Sequence, residues 1–268
     1  MIDVICPICG EVLTREKSRW YCTNNHSFDV ARQGYVNLLP VFQKHSKNPG
    51  DTKEQVAARK EFLDGGTYRP VAEMLRDLTV TEQPASMLDV GCGEGYYLSF
   101  VQESLPNLEG WGIDISKDAV RYAAVRNKNA TFLTATASHM PFADGSFDVL
   151  SSMFALTLPE EFARVLKSGG RFIQVTAGED HLMGLKSIIY PEIIKKEKHP
   201  VVDLPGFVLE ETKMLDFSFT LDNNADVMRL LSMTPHVMRI TKEGMERARA
   251  AETLTDRAEV YFRVYRRV

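Results

Sequence analysis

The chain has 268 residues, of which 44% are hydrophobic and 25% charged, and its formal net charge is −4. That apolar content suffices for a substantial core and excludes a disordered polypeptide, while no apolar run approaches the ~18 residues needed to cross a bilayer. The start, Met1-Ile2-Asp3, has neither a basic region nor a long apolar stretch, so no secretory signal is expected and a cytoplasmic location is the default.

Charge is unevenly spread. Nine Lys/Arg against six acids give residues 1–60 a balance of +3 and leave −7 on the remainder. A basic head on an acidic body suits a recognition module that meets phosphate, with statistical scatter as the competing account. Three of the four cysteines fall in the first 22 residues, which in a cytosolic chain favours a metal site over disulfides. Cys6-Pro7-Ile8-Cys9-Gly10, then Cys22 and His26, read C-x2-C-x12-C-x3-H. Four such ligands close a tetrahedral Cys3His shell around zinc, and a shell with no open position is structural. A segment this small has little core of its own, so its folding is expected to depend on the metal. Arg15, Lys17, Arg19, Trp20, Tyr21, Phe28, Arg32 and Tyr35 interleave charge with rings, as loops of RNA would require. Arg15, Lys17 and Arg19 are expected to touch phosphate, and Phe28 and Tyr35 to pack around the metal.

The polar stretch from Gln43 to Asp51 reads as a linker. Thr52 is placed to cap a helix running towards Leu63, closed by Gly65-Gly66, and Tyr68-Arg69-Pro70 opens a second with Val71, Met74, Leu75 and Leu78 at helical spacing. From residue 86 strands alternate with helices. The strands are Met87–Val90, Trp111–Asp114, Thr131–Thr134, Phe147–Met153 and Arg171–Thr176, and the helices include Lys117–Asn127 and Glu160–Leu166. That order implies βαβ units and a mostly parallel sheet. Beyond residue 183 the pattern loosens to a basic stretch, Lys195-Lys196-Glu197-Lys198, a helical run at Ala225–Leu231 and a last strand at Val260–Tyr265. The expected division is 1–40 for a zinc-binding RNA-recognition module, 41–85 for linker and helices, and 86–268 for the main domain. Head and body are expected to fold separately.

The most specific motif is Leu88-Asp89-Val90-Gly91-Cys92-Gly93-Glu94-Gly95. A strand runs into a bend whose glycines admit a ligand close to the backbone, beside the positive end of the next helix. A dinucleotide site would want Gly at position 96, where Tyr96 stands, and would gain nothing from Asp89. S-adenosylmethionine, with an ammonium and a sulfonium, makes the opposite demand and is favoured by an acid there. Asp114, at the end of the next strand, is placed to accept the ribose hydroxyls. Cys92 is expected to be a small packing residue.

This stretch resembles the class I methyltransferase family, whose first motif reads D-x-G-x-G-x-G, over roughly residues 85–180. The resemblance implies an α/β, Rossmann-like fold with a mostly parallel seven-stranded sheet, here carrying a small N-terminal zinc-binding domain. Met140-Pro141-Phe142 with Asp144–Asp148, and Arg164–Gly170, fit the same family. Its usual adenine-binding Asp is replaced by Thr136, which leaves adenine to backbone groups or to the Ser138 region.

Taken with "LTREKSRWYC", "GYVNLLP", "PGD", "FLDGGTYRP", "HLMGLK" and "MTPHVMR", the chain more narrowly resembles the bacterial 23S rRNA (guanine-N1)-methyltransferases of the RlmA type. The resemblance implies methylation of N1 of a guanine in a hairpin loop of 23S rRNA, a possible homodimer, and, in one branch of the family, resistance to macrolides such as tylosin. It also implies that Tyr68, Glu94, Gly95 and His181 help hold the cofactor, Tyr68 as an aromatic lid beside the sulfonium. The candidate cofactor set is then Tyr68, Asp89, Gly91, Gly93, Glu94, Gly95, Tyr96, Asp114 and His181, with Cys6, Cys9, Cys22 and His26 for zinc. No general base is identified. The loop Met153–Leu158 lacks the Asn-Pro-Pro-Tyr motif of adenine-specific relatives, Phe154 is placed to stack on a flipped base, and Met233-Thr234-Pro235 is placed near the same pocket. A small-molecule methyltransferase and a non-catalytic RNA-binding relative are the rival readings. The zinc head speaks against the first, and the intact acids and glycines against the second.

Overall fold

A computed structural model describes residues 2–43, 49–193 and 203–268, so the basic stretch at 195–198 and most of the expected linker lie outside the described residues. In the head, three short strands, β1 (Thr14–Arg15), β2 (Arg19–Tyr21) and β3 (Ser27–Asp29), form an antiparallel sheet. A fourth, β4 (Val36–Asn37), leaves that sheet and pairs in parallel with the body.

Helix α1 (Lys53–Asp64) starts at Thr52 in a capping box with Gln55, as the sequence predicts, and α2 (Arg69–Val80) follows with Pro70 in its first turn. The body then alternates β5 (Ser86–Val90), α3 (Tyr96–Ser104), β6 (Glu109–Asp114), α4 (Lys117–Arg126), β7 (Thr131–Thr134), β8 (Phe147–Met153), α5 (Pro159–Val165), β9 (Leu166–Ala177) and α6 (Met183–Ile189). It ends with β10 (Phe207–Leu221), α7 (Asn224–Ser232), α8 (Lys242–Ala250) and β11 (Leu254–Arg267). The sheet order is β10-β11-β9-β8-β5-β6-β7-β4, parallel except where β11 pairs with β9 and β10. This is the class I methyltransferase sheet of seven strands, and the head contributes an eighth at its edge.

Alternation along each strand splits the core in two. Met87, Phe132, Val149, Ile173 and Phe262 face a layer that includes α1 to α4 and α6 to α8. Leu88, Trp111, Leu133, Leu150 and Phe172 face the other way, towards α5 and the head. The β7–β8 connection contains no helix, and the head fills that place. Trp20 packs edge-on against Trp111 with centroids 6.4 Å apart, Val4 bridges to Phe142, and the Ile5 amide donates to the Pro141 carbonyl at 2.9 Å. Arg15 lies over both indoles, 5.7 Å from Trp20 and 5.4 Å from Trp111. The guanidinium expected to meet phosphate is therefore part of the head–body joint.

Head and body share one apolar cluster, which favours cooperative over separate folding. Trp20→Ala is expected to cost about 3 kcal/mol, the low end for deleting a buried aromatic. It should lower a single thermal midpoint by roughly 5–10 °C. Two resolved transitions, with the body's midpoint unmoved, would show that the joint carries no stability.

Candidate functional site

The bend after β5 is shaped by close approach. Gly91 has φ +72°, and a Cβ there would lie 2.9 Å from the Ala155 Cβ. Gly95 has φ +81°, and its Cβ would lie 3.0 Å from that of Ala123 in α4. The loop after β8 and the helix after β6 thus press on the bend from both sides, and no side chain fits at either point. Cys92 is buried, and its thiol lies 3.7 Å from the Gly93 carbonyl. Burial pushes this thiol well up, which keeps it protonated and inert, in keeping with a packing role.

Asp89 ends β5 opposite Ser151 of β8, and the Ser151 hydroxyl donates to Oδ1 at 2.7 Å. Its second oxygen, Oδ2, is buried and has no donor among the described residues. Burial pushes this carboxyl up to about 7, against the Ser151 hydrogen bond, with the charges of Asp114 and Glu94 adding to the rise. Asp114 accepts from the Gly93 amide at 3.0 Å and the Ser116 amide at 2.8 Å. Glu94 is buried, and Arg126 reaches both its carbonyl, at 3.2 Å, and its carboxylate, at 3.4 Å. Burial raises the pKa of both acids.

Tyr68 is enclosed by Phe62, Phe217 and Phe219, and its hydroxyl lies 3.4 Å from His181 Nε2. His181 Nδ1 lies 3.0 Å from the Glu259 carbonyl, which can only accept, so Nδ1 carries the proton and Nε2 accepts from Tyr68. The Tyr96 ring turns to Tyr97, Phe100 and Arg126. Thr136 hydrogen-bonds Ser138 at 2.9 Å on the exposed loop after β7.

Two participants were not visible in the sequence. Arg59 of α1 forms an ion pair with Asp51, lies 3.8 Å from where a Gly93 Cβ would be, and donates to the Met233 carbonyl at 3.4 Å. That contact sets Met233 beside the bend. Burial alone would lower the Arg59 pKa, and the charges of Asp51, Glu94 and Asp114 more than offset it. Ser151 is the other participant. No local pattern marks either residue, because each reaches the bend from a distant element.

S-adenosylmethionine fits this arrangement. The bend offers a glycine cradle, an acid, Asp114, held beside it by two amides, and one buried carboxylate oxygen with no donor among the described residues, which suits an ammonium. In the head, Cys6, Cys9, Cys22 and His26 place one ligand atom each within 4.8 Å of one another. Cys6 Sγ and Cys22 Sγ lie 3.5 and 3.4 Å from His26 Nδ1, and Cys9 Sγ lies 3.6 Å from Cys22 Sγ. Tetrahedral zinc, with Zn–S about 2.3 Å and Zn–N about 2.0 Å, requires ligand edges of roughly 3.5–3.8 Å. The donor set and its size therefore fit structural zinc bound through Nδ1.

Comparison with known proteins agrees with both halves. A zinc-ribbon family described as "RlmA, N-terminal" matches residues 4–47, and a "Methyltransferase domain" family matches residues 87–170. The 23S rRNA (guanine(748)-N(1))-methyltransferase of Streptomyces fradiae is 38% identical over 185 residues, 67% of this chain and 65% of that one, so the match spans just under two thirds of that relative. A Micromonospora griseorubida protein named for 23S rRNA guanine-N1 methylation is 35% identical over 201 residues, 67% of each chain. A Bacillus subtilis protein named for the same activity is 29% identical over 86% of this chain and 85% of its own.

The raised Asp89 carboxyl gives a pH test. Its unfolded counterpart ionises near 3.9 and the folded group at about 7. The unfolded state thus gives up its proton first, and the empty protein should lose stability as pH rises from about 4 to 7. A cofactor ammonium needs the ionised form, so affinity should fall below pH 7, approaching tenfold per pH unit. Calorimetric titration with S-adenosylmethionine from pH 5.5 to 8.5 reads this directly, and Asp89→Asn should bind weakly and without the slope. The same slope in the variant would assign it to another group.

Proposed function

The chain belongs to the bacterial 23S rRNA (guanine-N1)-methyltransferase family of the RlmA type, and from that footing we propose that it transfers a methyl group from S-adenosylmethionine to N1 of a guanine in a hairpin loop of 23S rRNA. The observation that carries the reading is the joining of a Cys3His head to a bend lined by Asp89, Glu94 and Asp114 in one folded unit. A small-molecule methyltransferase needs the bend and has no use for the head. The reading extends to a cytoplasmic enzyme whose family resemblance supports a homodimer; no helix among the described residues is long and apolar enough to cross a membrane.

S-adenosylmethionine, when bound, supplies a methyl carbon activated by its positive sulfur. What this chain contributes is placement. Asp89 holds negative charge where the ammonium belongs, and Asp114 presents acceptors for the ribose. Glu94 is clamped by Arg126, which keeps the bend from relaxing when it is empty. Tyr68 and His181 close the site from the side of β11. Alignment of two reactants out of water can supply ~7–11 kcal/mol of a displacement barrier. Phe154 stands on the loop after β8, 40% exposed, with its ring 6.1 Å from that of His181. A guanine stacked on Phe154 is the arrangement we propose for the target base, with residues 233–235 lining the same opening.

Incubating a 23S rRNA fragment with labelled cofactor and mapping the product by mass is the direct test. One methyl on a loop guanine that also blocks reverse transcription is expected, and methyl transfer to metabolites with none to RNA would refute the proposal. Asp114→Ala should weaken cofactor binding by ~1.5–3 kcal/mol through loss of charge-assisted hydrogen bonds. Phe154→Ala should leave that affinity within about twofold and cut kcat/KM for RNA by roughly 10- to 100-fold, the worth of one stacked base.

A further inference from the structure

The turn before β4 and the outer face of α4 enclose a groove of about 320 Å³ lined by Arg32, Gln33, Arg121, Tyr122 and Val125. A second hollow of about 360 Å³ is lined by residues of β3 and β4 together with Lys117. Lys117, Arg121, Val125 and Lys128 recur at spacings of four, four and three, so they form one stripe along α4 and the turn that follows it. Lys128 reaches across to the head, donating to the Gln33 carbonyl at 2.9 Å. Asp29 in the second hollow is the one carboxylate that lines either space.

The two guanidiniums of this groove differ from several others among the described residues. Arg59, Arg126, Arg164, Arg229 and Arg257 each hold a carboxylate. Arg32 and Arg121 hold none among the described residues; Arg121 lies over the ring of its neighbour Tyr122 at 5.7 Å. In the head, Arg15 is engaged by Trp20 and Trp111, and Arg19 by Tyr21 and Glu16. Of the basic residues that the sequence interleaves with rings, Arg32 is the one that lines this groove, and Arg121 faces it from the body. Helix α4 also links the groove to the site, because its cap Ser116 is bonded to Asp114 and its first residue is Lys117.

We propose that this groove is a phosphodiester track: Arg32, Arg121 and Lys117 hold the backbone of the RNA strand that leads to the target base, between the zinc head and the cofactor site. The proposal rests on the reading of the substrate as RNA and adds where the strand runs. A guanidinium on each wall suits a chain of evenly spaced anions, and the shallow, open shape suits a backbone that must slide into register before a base is placed.

The test is binding of a fluorescein-labelled 23S rRNA hairpin and of an oligouridine, by anisotropy across a KCl series, to the wild-type protein and to the Arg32→Gln/Arg121→Gln variant. Each lost phosphate contact should make the slope of log K against log salt shallower by about 0.7, so the variant should lose about 1.4 in slope and about tenfold in affinity near 0.1 M salt. Cofactor affinity, thermal midpoint and kcat at saturating RNA should stay at wild-type values, and Arg121→Lys should keep most of the slope. Unchanged slope and affinity for both RNAs would overturn the track, as would a wild-type protein that binds neither RNA. A shallower slope in the variant, in a protein that puts no methyl group on guanine, would uphold the track and sink the proposed reaction instead.

Discussion

Asp89 ends β5 with one carboxylate oxygen satisfied by Ser151 and the other buried against nothing that donates among the described residues. Leaving a carboxylate ionised in such a place costs several kcal/mol. Holding the proton relieves that cost, which is why burial pushes the carboxyl up to about 7. Much of the surrounding geometry maintains this tension. Ala155 and Ala123 press the glycine bend so closely that no side chain enters, and each Asp114 oxygen accepts one amide, from the bend or from the start of α4, and keeps a second lone pair. Glu94 is tied to Arg126, while Arg59 pairs with Asp51. The result is a braced acidic bend whose unpartnered Asp89 oxygen suits a cation.

The zinc head belongs to the same economy of burial. A parallel sheet needs cover on both faces, and here the β7–β8 crossover brings no helix with it. Trp111, Leu133 and Phe142 would face water without Ile2, Val4, Leu13 and Trp20. The metal fixes a loop-rich segment that could not hold its shape alone, and that segment then serves as one layer of the body. A head attached in this way keeps a fixed bearing on the bend, as it must if one part of an RNA is gripped while another is placed for reaction.

What could be read from the sequence was what is local. The C-x2-C-x12-C-x3-H spacing, the D-x-G-x-G-x-G bend, the Thr52 cap and the strand–helix alternation each need only a few neighbouring residues, and the structure contains all of them. Strand β10 was missed because Glu, Lys and Thr on its exposed side hide the alternation of Leu215, Phe217 and Phe219. It is an edge strand, and edges of this kind carry charge to avoid pairing with other chains. The docking of the head escaped notice for a different reason. Trp20 and Trp111 are separated by the linker, α1, α2, β5 and α3, and an aromatic beside a metal site reads equally well as a minicore or as a surface. Arg15, read from the sequence as a phosphate contact, lies over both of these indoles. Ser151 stands 62 residues from Asp89, and nothing but the pairing of β5 with β8 brings them together.

Two of the four described non-glycine residues with left-handed φ stand at the open end of the sheet. Phe154 and Leu182 adopt left-handed φ values of +54° and +57°, where a side chain other than glycine costs roughly 1 kcal/mol or more. Both are pinned by the sheet, the Phe154 amide to the Val175 carbonyl and the Leu182 amide to the Arg257 carbonyl, each within 2.9 Å. Between them stands His181, with its proton directed to Glu259 and its other nitrogen to Tyr68. Strain at these two positions thus falls beside the Phe154–His181 ring pair, past the carboxyl ends of β8 and β9, where parallel α/β sheets bind ligands.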